Sequence, residues 1–530
     1  MAETYTGLTL TSQVTDKSNT YSSTTISSGG ILNLYASAYD TTVNAGGILR
    51  ISGGVAWRTD VYGGQESVKA GGTAYDAKVY AGGSQWVDNG VASGTIVHDG
   101  GFQHVEKNGQ AFDTTVLSGG KVTVEQGGDL QGGTVAGKFN LRGTAEKTTV
   151  EKGGLLNLSR GGMGTDLDLY GSMNLSGSAA GTKVFKGGQL QVRENGTATG
   201  TIVSSGGRER IFAGGKSIGA TIKKKGVQYV SGTAQKTTVA KGGSVILYKG
   251  GELTGKTKLK KGATLSVAGI GASAGKIKAA QKANISYDIS GIKSGKAVML
   301  KASGQTISAG FGVVTTAGQK TGVYKLSSKI SVADGTAFSI RCGSAKDTAA
   351  LNGASLKMNG VNYSLSSADG VVSLKLTVAK GVDRLGKSSK KETLKGTVNS
   401  DIFYGGAGKD IIKGKNGRDV ALYDKNAWGK DTINKTSGTM TLLVAGLRKG
   451  TDVIENLSGT TMTLTRKGSS DKVTIKGWSA DTHSILYINK AKALKKVDSF
   501  INSVARDGIT DAQREKAENA VFKAAKLATA

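Results

Sequence analysis

The sequence predicts an all-β protein: a right-handed parallel β-helix, then a short β-roll and a small C-terminal helical segment. Three observations carry this prediction. A glycine doublet returns every 18 to 20 residues through the first half of the chain. One apolar position recurs in step with it, at Val43, Val61, Val79, Val97, Val116, Val135, Val150, Leu169, Val184, Val203, Ile222, Val239 and Leu259. The 530 residues hold 82 glycines and no proline; proline cannot donate to a strand ladder, so a chain of stacked strands excludes it. A fixed period of this length is the mark of a solenoid.

Residues 1–23 are assigned to an N-terminal cap and 24–269 to the repeats. From Thr41 the units read TTVNAGGILRISGGVAWR, TDVYGGQESVKAGGTAYD, AKVYAGGSQWVDNGVASG and TIVHDGGFQHVEKNGQAFD. Their consensus is T-x-V-x-x-G-G-x-x-x-V-x-x-G-G-x-A, with Asn-Gly sometimes replacing the second doublet. Short runs such as Ile48 to Ile51 and Glu66 to Lys69, bounded by glycine, read as two strands per unit. Glycine and asparagine stand at corners because the backbone enters positive φ there without a Cβ clash. No helix follows the doublets, so they are corners and not phosphate-binding loops. Parallel crossovers are nearly always right-handed, and fourteen units at about 4.8 Å make a rod of roughly 65 Å. Each coil buries only a few small aliphatics, so stability accumulates between neighbours.

Residues 270–395 lose the strict period. ANISYDISG, KAVMLKASG, VYKLSSKISV and VVSLKLTVAK alternate like strands, which fits either a degenerate continuation of the solenoid or a β-rich cap. At 396–434 come three consecutive nonapeptides, GTVNSDIFY, GGAGKDIIK and GKNGRDVAL. The middle one matches G-G-x-G-x-D-x-U-x, with U a large apolar residue. Glycines let such a loop curl so that carbonyls and a carboxylate face a hard cation, and calcium takes about six to eight oxygens. If two nonapeptides complete a turn, Asp401 and Asp419 share one flank and Asp410 takes the other. The segment AWGKDTI supplies a slipped fourth repeat that brings Asp431 to Asp410. The metal set is therefore Asp401, Asp410, Asp419 and Asp431, with backbone at Gly405, Ala407, Gly414 and Asn416. Thr397, Asn399 and Lys415 replace repeat glycines, and Lys409, Lys413 and Arg418 add positive charge, so one or two Ca2+ ions of modest affinity are expected. Residues 435–488 read as a β-rich flank. Residues 489–530 read as two helices: Leu494, Val497, Ile501 and Val504 share a face, and Thr510 to Gln513 forms a capping box for a helix running to about Leu527.

Charge divides the chain. Residues 1–200 hold 15 Lys+Arg against 17 Asp+Glu, residues 201–400 hold 32 against 8, and the whole chain is +30. A cationic surface favours polyanions, here anionic polysaccharide or lipopolysaccharide. Lysine far outnumbers arginine and few aromatics interleave, which argues against specific nucleic-acid reading. The single Cys342 excludes a disulfide framework. No stretch is long and apolar enough to span a bilayer, and the polar N-terminus is not a Sec signal peptide.

Residues 24–269 resemble the AIDA-type repeats of bacterial autotransporter adhesins, on the consensus above. Residues 396–478, with GKDTI at 429–433 and DKVTIKGW at 471–478, resemble the RTX (repeats-in-toxin) calcium-binding region. The first resemblance implies a β-helical adhesion passenger, sometimes O-glycosylated on Ser and Thr. The second implies type I export on an uncleaved C-terminal signal, with folding driven by extracellular calcium. An autotransporter ends in a β-barrel, whereas this chain ends FKAAKLATA; the type I route is the expectation. The expected protein is a secreted or cell-surface adhesin or matrix component that meets host or bacterial surface glycans, with self-association of rods a further expectation.

The alternatives are a β-helical polysaccharide lyase or hydrolase and an RTX-type toxin. Catalytic carboxylates should cluster on one face of adjacent coils, but Asp60, Asp76, Asp88, Asp99, Glu106, Asp113 and Glu125 are scattered between corners. His98 and His104, six apart in one coil, read as exposed strand residues and not a metal pair. Trp57, Trp86, Phe102 and Phe112 form either a sugar-stacking strip or partial core. No enzymatic activity is expected.

Overall fold

The computed structural model describes residues 3–489 apart from 296, 308, 317–318, 359–360, 379, 386–388, 427 and 435–437, together with 494, 495, 497, 520 and 521. The chain is all-β, a right-handed-type parallel solenoid. Two units are distinguished, one comprising Met1–Tyr287, Met299–Gly310 and Lys329–Ser331, the other Asp288–Val298, Phe311–Ser328 and Val332–Ala530.

In the first unit each coil as far as Thr238–Val239 has three strands, where the sequence pointed to two; beyond it the two short strands merge into one, Glu252–Leu259 and then Ala272–Ala279. A coil runs through Ile31–Leu34, Ser37–Tyr39 and Thr42–Asn44, and the next through Ile48–Ile51, Val55–Trp57 and Asp60–Tyr62. The two runs read as strands of one unit, at Ile48 and Glu66, lie directly opposite each other on successive coils. The third strand was missed because it is only two or three residues long and abuts the doublet. Rungs pair in parallel and in register, Val61 with Val79 and Val79 with Val97, apart from a register shift between Leu253 and Lys256. Sixteen strands of four or five residues stack this way from Gln13–Asp16 to Asn284–Asp288. The segment 1–23 contributes strands in the same register, Thr4–Thr6 on Thr20–Ser22 and Thr9–Leu10 on Thr25–Ile26.

Inward positions alternate with outward ones, so Val43, Val61, Val79 and Val97 are fully buried and line a core one side chain deep. The two glycines of a doublet serve different ends. Gly100 has φ +70°, the left-handed conformation that glycine adopts without penalty. Gly101 does not; a Cβ there would stand 2.3 Å from the Val79 carbonyl oxygen of the coil beneath. The first position therefore tolerates asparagine, as Asn108 shows at φ +59°, while the second remains Gly109.

The second unit departs from the solenoid rule. Phe311 to Thr315 pairs in parallel with Phe338 to Cys342, but Ala337–Cys342 and Ala345–Ala350 form an antiparallel hairpin. Val361–Ala368 and Val371–Val378 form another, the second strand also pairing antiparallel with residues from Gly322. Beyond it lie two sheets. In one, Lys380–Leu385, Ser400–Tyr404, Arg418–Tyr423, Thr439–Ala445 and His483–Ile488 are parallel. In the other, Thr393–Lys395, Ile411–Lys413, Lys430–Ile433 and Lys472–Lys476 are parallel, and an antiparallel hairpin is added at the edge. Of the helices expected in 489–530, Ile501, Val504 and the capping box lie outside the described residues. Val497 and Val521 are buried against Ile402, Val420, Leu443 and Ile488.

Candidate functional site

Three side-chain arrangements stand out from the plain aliphatic coil. The first is aromatic. Tyr39, Trp57 and Tyr75 occupy one register position on three coils and stack face to face at 4.7 and 5.8 Å between centroids. Tyr62, Tyr80 and His98 form a second stack at 4.3 and 4.4 Å. Trp86 lies over His104 at 4.4 Å and meets Phe102 edge-on. His98 and His104 are thus half-buried stack members, not exposed strand residues. A sugar packs on an aromatic face, and here the faces inside each stack are taken by neighbouring rings. Trp57 and Trp86 act as ladder contacts, and Phe112 falls in the Trp57 column beyond Tyr75, with Ser93 between them. Such pairs stabilise by about 0.5–1.5 kcal/mol beyond their area.

The second arrangement is polar and internal. The inward slot filled by Leu49 and Val122 holds Glu66, Gln85 and Gln103 on the coils between. All three are fully buried. Gln103 Nε2 donates to Gln85 Oε1 at 2.8 Å, Gln85 Nε2 donates to Glu66 Oε2 at 2.7 Å, and Thr95 and Thr114 hydroxyls donate to the two glutamine oxygens. Glu66 Oε1 has no hydrogen-bond partner; Thr59 Oγ1 lies beside it without completing one. Burial pushes the Glu66 carboxyl above its ordinary 4.5, against the pull of the Gln85 amide. The motif recurs at Glu209, which accepts from Gln228 at 2.7 Å and Ser217 at 2.9 Å and is pushed up for the same reason. Sequence reading missed both glutamates; aligning the repeats on the Leu49 slot would have exposed them.

The third is the aspartate set. Asp401, Asp410, Asp419 and Asp431 are all buried. Strand pairing puts Asp401 beside Asp419 on one flank and Asp410 beside Asp431 on the other. Asp419 Oδ1 accepts the Asp401 amide N–H at 3.0 Å and Asp431 Oδ1 the Asp410 N–H at 2.8 Å. Asp410 Oδ1 accepts the Glu392 N–H at 2.8 Å. Asp401 is held by the Thr397 amide and hydroxyl at 2.6 and 2.9 Å. The second oxygens of Asp410 and Asp419 have no hydrogen-bond partner. Desolvation lifts Asp419 to about 8 and Asp431 to about 7, and Asp410 moves the same way.

Glycines shape the space around these oxygens. A Cβ on Gly405 would stand 2.7 Å from Asp431 Oδ2 and 3.0 Å from Asp410 Oδ2. One on Gly396 would stand 2.5 Å from Asp401 Oδ2 and 2.7 Å from the Gly414 carbonyl. Paired carboxylates with free oxygens and backbone carbonyls are a donor set that suits a hard cation. Among the described residues no three acidic, His or Cys side chains converge, so carbonyls and water would have to complete a shell. Lys409 and Lys413 are exposed, and the Arg418 guanidinium donates to the Gln319 carbonyl.

Fold and surface together define a β-solenoid whose chemistry is spread along a wall. Residues 83–138 match the family described as adhesin of bacterial autotransporter system, probable stalk. The solved TibC-catalysed, hyper-glycosylated TibA55-350 fragment is 29% identical, covering 52% of this chain and 94% of its own, with a TM-score of 0.42. No curated protein matches the chain. No helix among the described residues is long and apolar enough to cross a membrane.

Proposed function

We propose that the chain is an extracellular or cell-surface adhesin of the autotransporter-stalk kind, whose solenoid wall is the working surface. The match of residues 83–138 to an adhesin stalk family carries this reading, and the parallel coil continuing through sixteen rungs supports it. Repetition of one shallow coil gives an extended wall along residues 13–288. The scattered outer acids and ring-stacked histidines favour adhesion over the lyase or hydrolase reading. Surface glycans of host or bacterial cells are the partners such a wall would meet.

The RTX-like segment is proposed to take up Ca2+ after export. Asp410 with Asp431, and Asp401 with Asp419, would hold it, aided by backbone at Gly405, Ala407, Gly414 and Asn416. A bound calcium would supply positive charge that keeps these buried carboxylates ionised. Without it they rely on backbone N–H groups and protons. Type I export on residues 489–530 completes the proposal.

Two measurements test it. Bacteria displaying the full chain should adhere to glycan-coated surfaces or to each other more than bacteria without it; equal adherence would refute the adhesin reading. Fluorescence of Trp428, buried beside Tyr423, should respond to millimolar calcium in the wild type and not in Asp410→Asn/Asp431→Asn. A response that survives both substitutions would remove calcium from these aspartates.

A further inference from the structure

The lysines of residues 221–282 form one uncompensated cationic face. From 212 to 287 the chain carries 14 lysines, no arginine and one acid, Glu252. Eleven of the lysines lie on the strand that precedes the doublet corner, which lengthens to eight residues at Glu252–Leu259 and Ala272–Ala279, or at the corner itself. Lys223, Lys224 and Lys225 belong to one coil, Lys241 to the next, Lys256, Lys258, Lys260 and Lys261 to the third, and Lys276, Lys278 and Lys282 to the fourth. All eleven are exposed.

Register makes the crowding specific. Lys256 lies directly opposite Lys276, and Lys258 opposite Lys278. At the corner, backbone bonds run from Lys225 to Gly242, from Gly242 to Gly262 and from Gly262 to Lys282, so Lys224, Lys241 and Lys261 stack on successive coils. Rungs are about 4.8 Å apart and alternate residues on a strand about 6.7 Å apart, which sets the ammonium groups on a shallow lattice.

Like charges opposed across a rung are destabilising. In the N-terminal coils several charges are offset by pairing across rungs, Arg58 with Asp40 at 2.6 Å, Lys69 with Asp88 at 2.9 Å and Arg142 with Glu125 at 3.0 Å, although Lys121 lies opposite Lys138. None of the eleven lysines makes an ion pair among the described residues. Their repulsion is the kind that a long counter-charged chain relieves.

We propose that this face binds a linear anionic polysaccharide running along the solenoid axis, its repeated acid groups seated between lysines of successive coils. The proposal rests on the wall being the working surface, and it names the partner of one stretch of that wall. Nucleic acid is disfavoured because the face carries no aromatic side chain on which a base stacks. A lipid surface is disfavoured because it offers no exposed apolar side chain to insert.

The test uses the full chain with polygalacturonate, neutral dextran, poly(dT) and anionic vesicles as probes. Polygalacturonate should bind and dextran should not, with binding lost as salt rises from about 0.05 M to about 0.5 M. Lys256→Gln/Lys258→Gln/Lys276→Gln/Lys278→Gln should weaken it about tenfold or more. The charge-matched Lys17→Gln/Lys107→Gln/Lys138→Gln/Lys152→Gln control should leave it within about twofold. Acylation of the wild type gives a readout independent of any variant's folding: polygalacturonate should protect Lys256, Lys258, Lys276 and Lys278 but not Lys107. No binding, equal loss in both quadruple variants, absence of protection, or tighter binding of poly(dT) or vesicles would each overturn the proposal. Failure here leaves the adhesin reading standing, because adherence of displaying cells is scored separately.

Discussion

Replacing Glu66 with glutamine should stabilise the early coils, and only at neutral or higher pH. In the folded chain the carboxyl sits at full burial with Oε1 unpartnered and its proton affinity raised by desolvation. A group whose folded pKa lies above its unfolded 4.5 contributes stability that is complete below about 4.5. That contribution is lost as pH climbs through the raised value, because the unfolded chain then ionises more readily than the folded one. Glutamine removes the titration. Its Oε1 still accepts from Gln85 Nε2, and its amide nitrogen offers a donor to the Thr59 hydroxyl. Relief of one buried unsatisfied polar group is worth about 1–3 kcal/mol, a roughly five- to 150-fold slowing of local opening. Amide hydrogen exchange at Val68 and Val87, normalised for intrinsic rate, measures it directly. At pH near 8 the Glu66→Gln chain should exchange more slowly by that factor; near pH 4 the two should coincide. Glu66→Leu should be worse than wild type below pH 4.5, since it orphans the Gln85 amide. An equal gain at both pH values, or faster exchange at pH 8, would refute the reasoning.

Other outcomes follow from the same geometry. Gly101→Ala should destabilise its coil by several kcal/mol, because backbone must move, whereas Gly100→Asn should cost about 1 kcal/mol or less; thermal melts of the pair check the asymmetry. Trp57→Ala breaks the centre of the Tyr39–Tyr75 stack and should cost about 1–3 kcal/mol, from two stacked pairs, without reducing glycan adherence, which separates its packing role from a binding one. Asp16 is held down to about 2, burial being outweighed by bonds from the Ser18 and Asn19 amides and the Tyr21 hydroxyl. Its contribution is present above pH 3.8 and lost as pH falls toward 2, so Asp16→Ala should fray the first coil at neutral pH, seen as exchange at Val14 and Tyr21.

The solenoid was legible because its determinants are periodic. Val61, Val79 and Val97 mark the inward slot at every turn, and a glycine pair marks the corner. The aspartate pairing was legible for the same reason: an 18-residue turn brings Asp419 over Asp401, and three inserted residues still bring Asp431 over Asp410. What escaped reading depends on neighbours in space. The need for Gly101 comes from a carbonyl 22 residues away, and the stacking of Trp57 is visible only once Tyr39 and Tyr75 share its register. The antiparallel hairpins of 337–378 carry the same alternating residues as parallel strands, since alternation reports a buried face and not a strand direction.

The buried glutamates and the opposed lysines are both tolerated for one physical reason. In a solenoid each coil contacts only its neighbours, so stability is close to a sum of local terms. A local cost at Glu66 is borne by the coils around it, Leu49 below and Val122 above restoring an aliphatic slot. A globular core of the same size would spread that strain through shared packing. The chain can therefore carry chemically distinct stretches, aromatic with ion pairs across rungs in its first coils and bare and cationic between 221 and 282, on one continuous parallel ladder. If that locality holds, Glu66→Gln should alter exchange within about two coils of the substitution and leave Val203 and Val239 untouched.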